Sequence, residues 1–182
     1  MHKEDSLSEH IIATTRKWII DVVIGCNFCP FAAKEIKRGS IHYEVLHNCD
    51  SNEVLAAVLK IMQQLDADAG IETSLLILPG SFGIFDDYLN LLYHAEALHI
   101  KEDYEGIYQI AGFHPEYLFA GSTHDDPANY TNRSPYPMLH FLREDSVSNA
   151  VDNYPGIEDI PNRNIAFAQK KGLPYMKQFL LP

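Results

Sequence analysis

The chain has 182 residues, enough for one domain of ordinary size, and its 46% apolar and 21% charged residues suit a folded globular protein and exclude a disordered one. A formal net charge of −11 at pH 7 argues against a general nucleic-acid binder and against attachment to an anionic membrane, since both need clustered Lys and Arg. Three cysteines are too few, and odd in number, for a disulfide scaffold, so a reducing cytoplasm is the expected location.

The first residues, Met1 to Asp5, lack the apolar run of a signal peptide, and the apolar stretch from Trp18 to Ile24 is short and interrupted by Asp21. Ser6 and Glu9 have the spacing of a capping box ahead of Ile11, Ile12, Thr15, Trp18, Ile19, Val22 and Val23, which recur at helical spacing until Gly25. Asn27-Phe28-Cys29-Pro30 predicts the start of a second helix, with Pro30 in its first turn and an end near Gly39. Ile41, Tyr43 and Val45 alternate with His42, Glu44 and Leu46 as in a strand. Asp50 and Glu53 form a second capping pair, ahead of an amphipathic helix carrying Val54, Leu55, Val58, Leu59, Met62 and Leu65.

Ser74 to Leu78 is a short continuous apolar run, the pattern of a strand buried on both faces. A helix from about Asp86 to Leu98 follows, then strands over Ile107–Phe113 and Met138–Leu142. Between those two strands runs a polar segment, His114 to Pro137, too long for a bare connection and therefore either functional or locally structured. Two short helices, near Ser146–Asn153 and Pro161–Lys171, complete the chain, with Gly172 and Pro174 closing the second. The alternation of strands and helices predicts a single α/β domain with a mostly parallel or mixed sheet of about four strands flanked by helices. In such a sheet the loops after the first three strands meet at one edge, where open α/β sheets take their ligands.

Three motifs are distinctive together: Cys29-Pro30-Phe31-Ala32; Phe113-His114-Pro115 with Phe119-Ala120-Gly121; and Asn132 to Glu144, which reads NRSPYPMLHFLRE. They resemble a bacterial family of uncharacterised proteins, the domain of unknown function numbered fourteen-fifteen, over about Trp18 to Gly172. The resemblance implies a small stand-alone protein and carries no reaction with it. The family pattern has an apolar residue where Cys26 sits, so no chemistry needing both Cys26 and Cys29 is implied.

Cys29, at an expected helix N-cap, reads as a packing or capping residue, as a reactive thiol whose thiolate the helix start stabilises, or as a metal ligand. No second Cys or His pair at zinc spacing accompanies it, so no structural metal is expected. Cys26→Ser is expected to leave folding nearly intact and Cys29→Ser to cost more. His114, at a strand end, reads either as an acid or base or as a histidine bonded to a backbone carbonyl. His124, Asp125 and Asp126 either join it, as a carboxylate–imidazole set or as hard-metal ligands, or the Asp-Asp-Pro run is ordinary turn chemistry. Arg133, flanked by Asn132 and Ser134 and stiffened by Pro135, reads as an anion-binding guanidinium or as a brace for the long loop, with Arg143 as a second positive charge. Gly80 and Ser81 offer backbone N–H groups after the second strand. His140 alternates with Leu139 and Phe141 and reads as a packing residue. The expectation that follows is an enzyme acting on a small anionic metabolite at the strand-end loops, with no cofactor. The alternatives are a ligand-sensing or protein-binding module, and a metal protein using Cys29 and histidines.

Overall fold

The computed structural model describes residues 3–153, 156 and 159–179. Helix α1 (Lys3–Trp18) continues into a six-residue π-helix (Ile19–Ile24) and is followed by α2 (Ala32–Arg38). Strand β1 (Ile41–Val45), α3 (Ser51–Ala67), β2 (Thr73–Ile77) and α4 (Phe85–Lys101) alternate as the hydrophobic pattern requires. After β3 (Tyr108–Phe113) comes a loop containing a 3-10 helix (Pro127–Thr131). Strand β4 (Met138–Arg143), α5 (Glu144–Asn153), α6 (Ile160–Lys171) and α7 (Leu173–Lys177) end the described chain.

The sheet is mixed, in the order β1-β2-β4-β3. Strands β1 and β2 pair in parallel, while β4 lies antiparallel to both β2 and β3. Because β4 alone is reversed, β1, β2 and β3 all point the same way, and the loops that follow them meet at one edge. Each face then has its own core. Leu76, Leu139, Phe141 and Ile110 pack under α3 and α4. Leu75, Ile77 and Met138 pack under α1, the π-helix and α6, together with Trp18, Val22 and Ala168. Successive strand residues face opposite sides, so Thr73 and His140 lie on this second face.

Several local expectations need correction. Ser6 lies inside α1, which begins at Lys3, so Ser6 is not its cap. By contrast Asp50 caps α3 as expected, accepting from the Glu53 N–H at 3.0 Å while the Glu53 carboxylate accepts from the Asp50 N–H at 2.8 Å. Helix α2 starts at Ala32, so neither Cys29 nor Pro30 belongs to its first turn. The π-helix is the reason: Phe28 and Cys29 donate their backbone N–H groups back to the Val23 carbonyl, at 2.8 and 3.3 Å, and remain tied to the preceding helix. Pro174 closes nothing; it sits in the first turn of α7, a position that lacks an N–H requirement. The reading of Met1 and His2 as part of an N-terminus without a signal peptide lies outside the described residues. Among the described residues, no helix is long and apolar enough to cross a membrane.

Candidate functional site

The strand-end loops do meet. The Asn48 N–H reaches the Pro79 carbonyl at 3.3 Å, the Cys49 N–H donates to Ser81 Oγ at 2.8 Å, and His114 Nε2 lies 2.8 Å from the Phe82 carbonyl. The polar side chains singled out there, however, are turned toward the chain itself. His114 is fully buried: Nε2 donates to Phe82 and Nδ1 accepts from the Glu116 N–H at 3.0 Å. Burial holds its pKa below the ordinary histidine value, against the opposing pull of the Phe82 carbonyl and Glu116.

Arg133 is 4% exposed, lies over the Tyr130 ring, and donates to the carbonyls of Tyr117 and His124, both at 3.1 Å. Ser134 donates to the Tyr136 carbonyl at 2.6 Å, and the Asn132 carbonyl accepts from the His114 N–H at 3.3 Å. Asp126 caps the 3-10 helix through the Ala128 N–H at 2.9 Å, whereas Asp125 is exposed beside Lys177. Gly80 has φ +77°, and a Cβ there would lie 2.5 Å from Asn48 Oδ1. These groups converge, but as the internal bracing of a loop whose carbonyls they satisfy. Arg143 does not join them. It ends β4 at the opposite edge and clamps the carbonyls of Leu65, Asp68 and Ile71 at 2.7–3.1 Å. An open groove of about 600 Å³ does lie near the strand ends, lined by Cys49, Asp50, Asp87 and His94, none of which the sequence singled out as a catalytic or binding residue.

A larger space lies elsewhere. On the second sheet face, Leu75, Ile77 and Met138 share a core with residues of α1, the π-helix and α6, and beside that core the sheet floors an open space. It is a cavity of about 690 Å³, with Thr73, Leu75, Ala111, Phe113, His140 and Leu142 in its floor. The π-helix contributes Ile19 and Val23 to its wall, α2 contributes Ala32 and Glu35, and α5 contributes Val147 and Ala150. Trp18, the chain's single tryptophan, closes one side and is held by its indole N–H on the Arg133 carbonyl at 3.1 Å.

The exposed wall is mainly apolar, although Lys34, Glu72, Arg143, Ser146 and Asn149 also line it. Glu35 is anchored by the Ser40 hydroxyl at 2.6 Å and by Arg38 at 3.4 Å. Cys29 lines the wall as a free, half-buried thiol. His140 Nε2 is 2.6 Å from Thr73 Oγ1, which is also 2.6 Å from the Phe141 carbonyl. Burial pushes the His140 pKa down to about 4, so the ring is neutral at physiological pH. Sequence reasoning set His140 aside as packing and overlooked Thr73, Glu35 and Trp18. The available signal was period two: His140 falls between Met138 and Leu142, and Thr73 precedes Leu75 and Ile77, so each is a polar residue on an otherwise apolar strand face.

The family model described as Protein of unknown function (DUF1415) matches residues 10–178, nearly the whole chain. The chain belongs to this family. Neither a curated protein nor a solved structure matches it. All three motifs on which the DUF1415 resemblance rested contribute to the one cavity: Cys29, Phe31 and Ala32 from the first, Phe113 from the second, and His140, Leu142 and Arg143 from the third. Of the other residues in the last two motifs, His114, Arg133 and Ser134 brace the long loop, and Met138, Leu139 and Phe141 pack in the two cores.

Proposed function

We propose that the protein binds a small, largely apolar organic molecule in the cavity on the second sheet face, with His140 as its polar anchor and Cys29 and Glu35 at the wall. The observation that carries this reading is the space itself. About 690 Å³ whose exposed wall is mainly apolar, with Lys34, Glu72, Arg143, Ser146 and Asn149 also among its lining, lies within the range of small-molecule sites and far above ordinary packing voids. A few polar groups in an apolar enclosure are what orient such a ligand. The anionic-metabolite reading at the strand ends is less well supported, because the Arg133 guanidinium it relies on is spent on carbonyls.

Trp18 provides a built-in reporter. Titration with naphthalene should quench or shift Trp18 emission and raise Tm by mass action. Ala111→Phe, which fills the cavity floor from β3, should weaken that binding about tenfold or more, on the order of 1.4 kcal/mol, and leave the unliganded Tm unchanged or higher. Inorganic phosphate and benzoate form the opposing arm. If naphthalene changes neither emission nor Tm, the proposal fails; stabilisation by phosphate that Arg133→Lys removes would return the site to the strand ends.

A further inference from the structure

Resting on the cavity reading above, the hydrogen-bond geometry points to a ligand that brings a neutral hydrogen-bond donor, an O–H or N–H on an apolar body, to His140 Nδ1. The derivation begins at Thr73. Its Oγ1 stands 2.6 Å from the Phe141 carbonyl oxygen, and two oxygens come that close only with a proton between them. A carbonyl has none to give, so the Thr73 hydroxyl proton is committed there. The second short contact of the same hydroxyl, 2.6 Å to His140 Nε2, then requires the proton to come from the ring. His140 is therefore the Nε2–H tautomer, and Nδ1 carries a bare lone pair. Thr73 is itself 7% exposed, so water does not readily replace either bond.

The bare nitrogen has no hydrogen-bond partner among the described residues. Nor is it sealed in the protein, for the only enclosed side-chain polar atoms without a partner there are Thr15 Oγ1 and Tyr43 OH. Nδ1 thus keeps some exposed surface on a half-buried ring, and on this face the space beside it is the cavity His140 lines. A lone pair in an apolar enclosure selects by the asymmetry of hydrogen bonding. A donor group satisfies it, whereas an ether oxygen or a carboxylate sets a second lone pair against it. The Phe113 ring, 6.0 Å from the imidazole, limits the directions from which the donor approaches.

Two matched pairs measure this by calorimetry on the wild-type protein: 4-propylphenol against 4-propylanisole, and indole against 1-methylindole. The donor-bearing member of at least one pair should bind about tenfold more tightly, the worth of one well-made hydrogen bond, and the pair that discriminates more identifies the donor as O–H or N–H. In His140→Phe both members should still bind, with the preference reduced to within about twofold. Because that variant also alters the floor, the tautomer is read directly on the wild type from the nitrogen-15 shifts of His140, where protonated Nε2 and unprotonated Nδ1 are expected. Equal affinities within both pairs, a preference that survives His140→Phe, or an Nδ1–H tautomer overturns the proposal while leaving the cavity reading intact. Binding of none of the four compounds removes the cavity reading, and this inference falls with it.

Discussion

At the scale of single residues, the polar side chains of the long loop answer a demand its own backbone creates. A connection from 114 to 137 with little regular structure leaves carbonyls that need donors. Arg133, Ser134 and Asn129 supply them, Asn129 with its amide on the Thr123 carbonyl at 2.8 Å. A sequence shows which donors are present but not how many orphan acceptors surround them, which is why an arginine between prolines resembles an anion site. Arg133→Ala should therefore lower stability by about 3 kcal/mol, a fall in Tm of roughly 6–12 °C, through the two abandoned carbonyls and the lost contact with Tyr130. Thermal unfolding of the unliganded variant checks this, and an unchanged Tm would show the guanidinium to be dispensable for the fold. Cys26 and Cys29 differ in their surroundings. Cys26 is the more buried, within the core under α1, and burial raises its thiol pKa despite the opposing Tyr175 contact; Cys29 faces the cavity.

At the scale of elements, the π-helix is the part that shapes the site. Gly25 donates its N–H to the Ile20 carbonyl at 3.0 Å, five residues back, so the Asp21 carbonyl is pushed toward the Gly25 α-carbon. A Cβ at Gly25 would collide with that carbonyl oxygen. Gly25→Ala is thus expected to destabilise the protein by about 1–3 kcal/mol despite the higher helix propensity of Ala. It should also weaken naphthalene binding, because relaxing the wide turn moves Ile19 and Val23 in the cavity wall. Urea unfolding together with Trp18 titration measures both effects, and a stabilised variant with unchanged binding would show the wide turn to be inessential. In the opposite layer, Gly112 performs a related service: a Cβ there would lie 2.5 Å from the Tyr88 hydroxyl, which reaches the Met138 carbonyl at 2.7 Å and ties α4 to the sheet.

At the scale of the whole molecule, histidines kept neutral by burial set the response to acid. His42, His114 and His140 all have lowered pKa values, with desolvation the leading cause in each. The unfolded chain takes up protons at these sites near the ordinary histidine value of 6.5, before the folded chain does. Their contribution to stability is therefore whole above about pH 6.5 and is lost as pH falls toward the folded value, about 4 for His140. Between those limits the stability of His140→Phe should decline less than that of the wild type, by on the order of 2 kcal/mol. Chemical denaturation at pH 7, 5.5 and 4.5 reads this difference, and parallel declines would show that His140 carries its proton in the folded state.

The succession of strands and helices, the capping of α3 and the two-sided burial of β2 were legible because each depends on residues close together in the chain, through period, capping and turn chemistry. The meeting of the first three loops followed from strand direction, even though β4 enters reversed between β2 and β3. Tertiary structure alone decided which side chains meet an open space. Alternation along β4 assigns His140 to one face, but what covers that face depends on where α1, α2 and α5 pack, and they come from the far ends of the chain. The tautomer of His140 is equally non-local, for it hangs on a hydroxyl 67 residues away whose proton the Phe141 carbonyl has already taken.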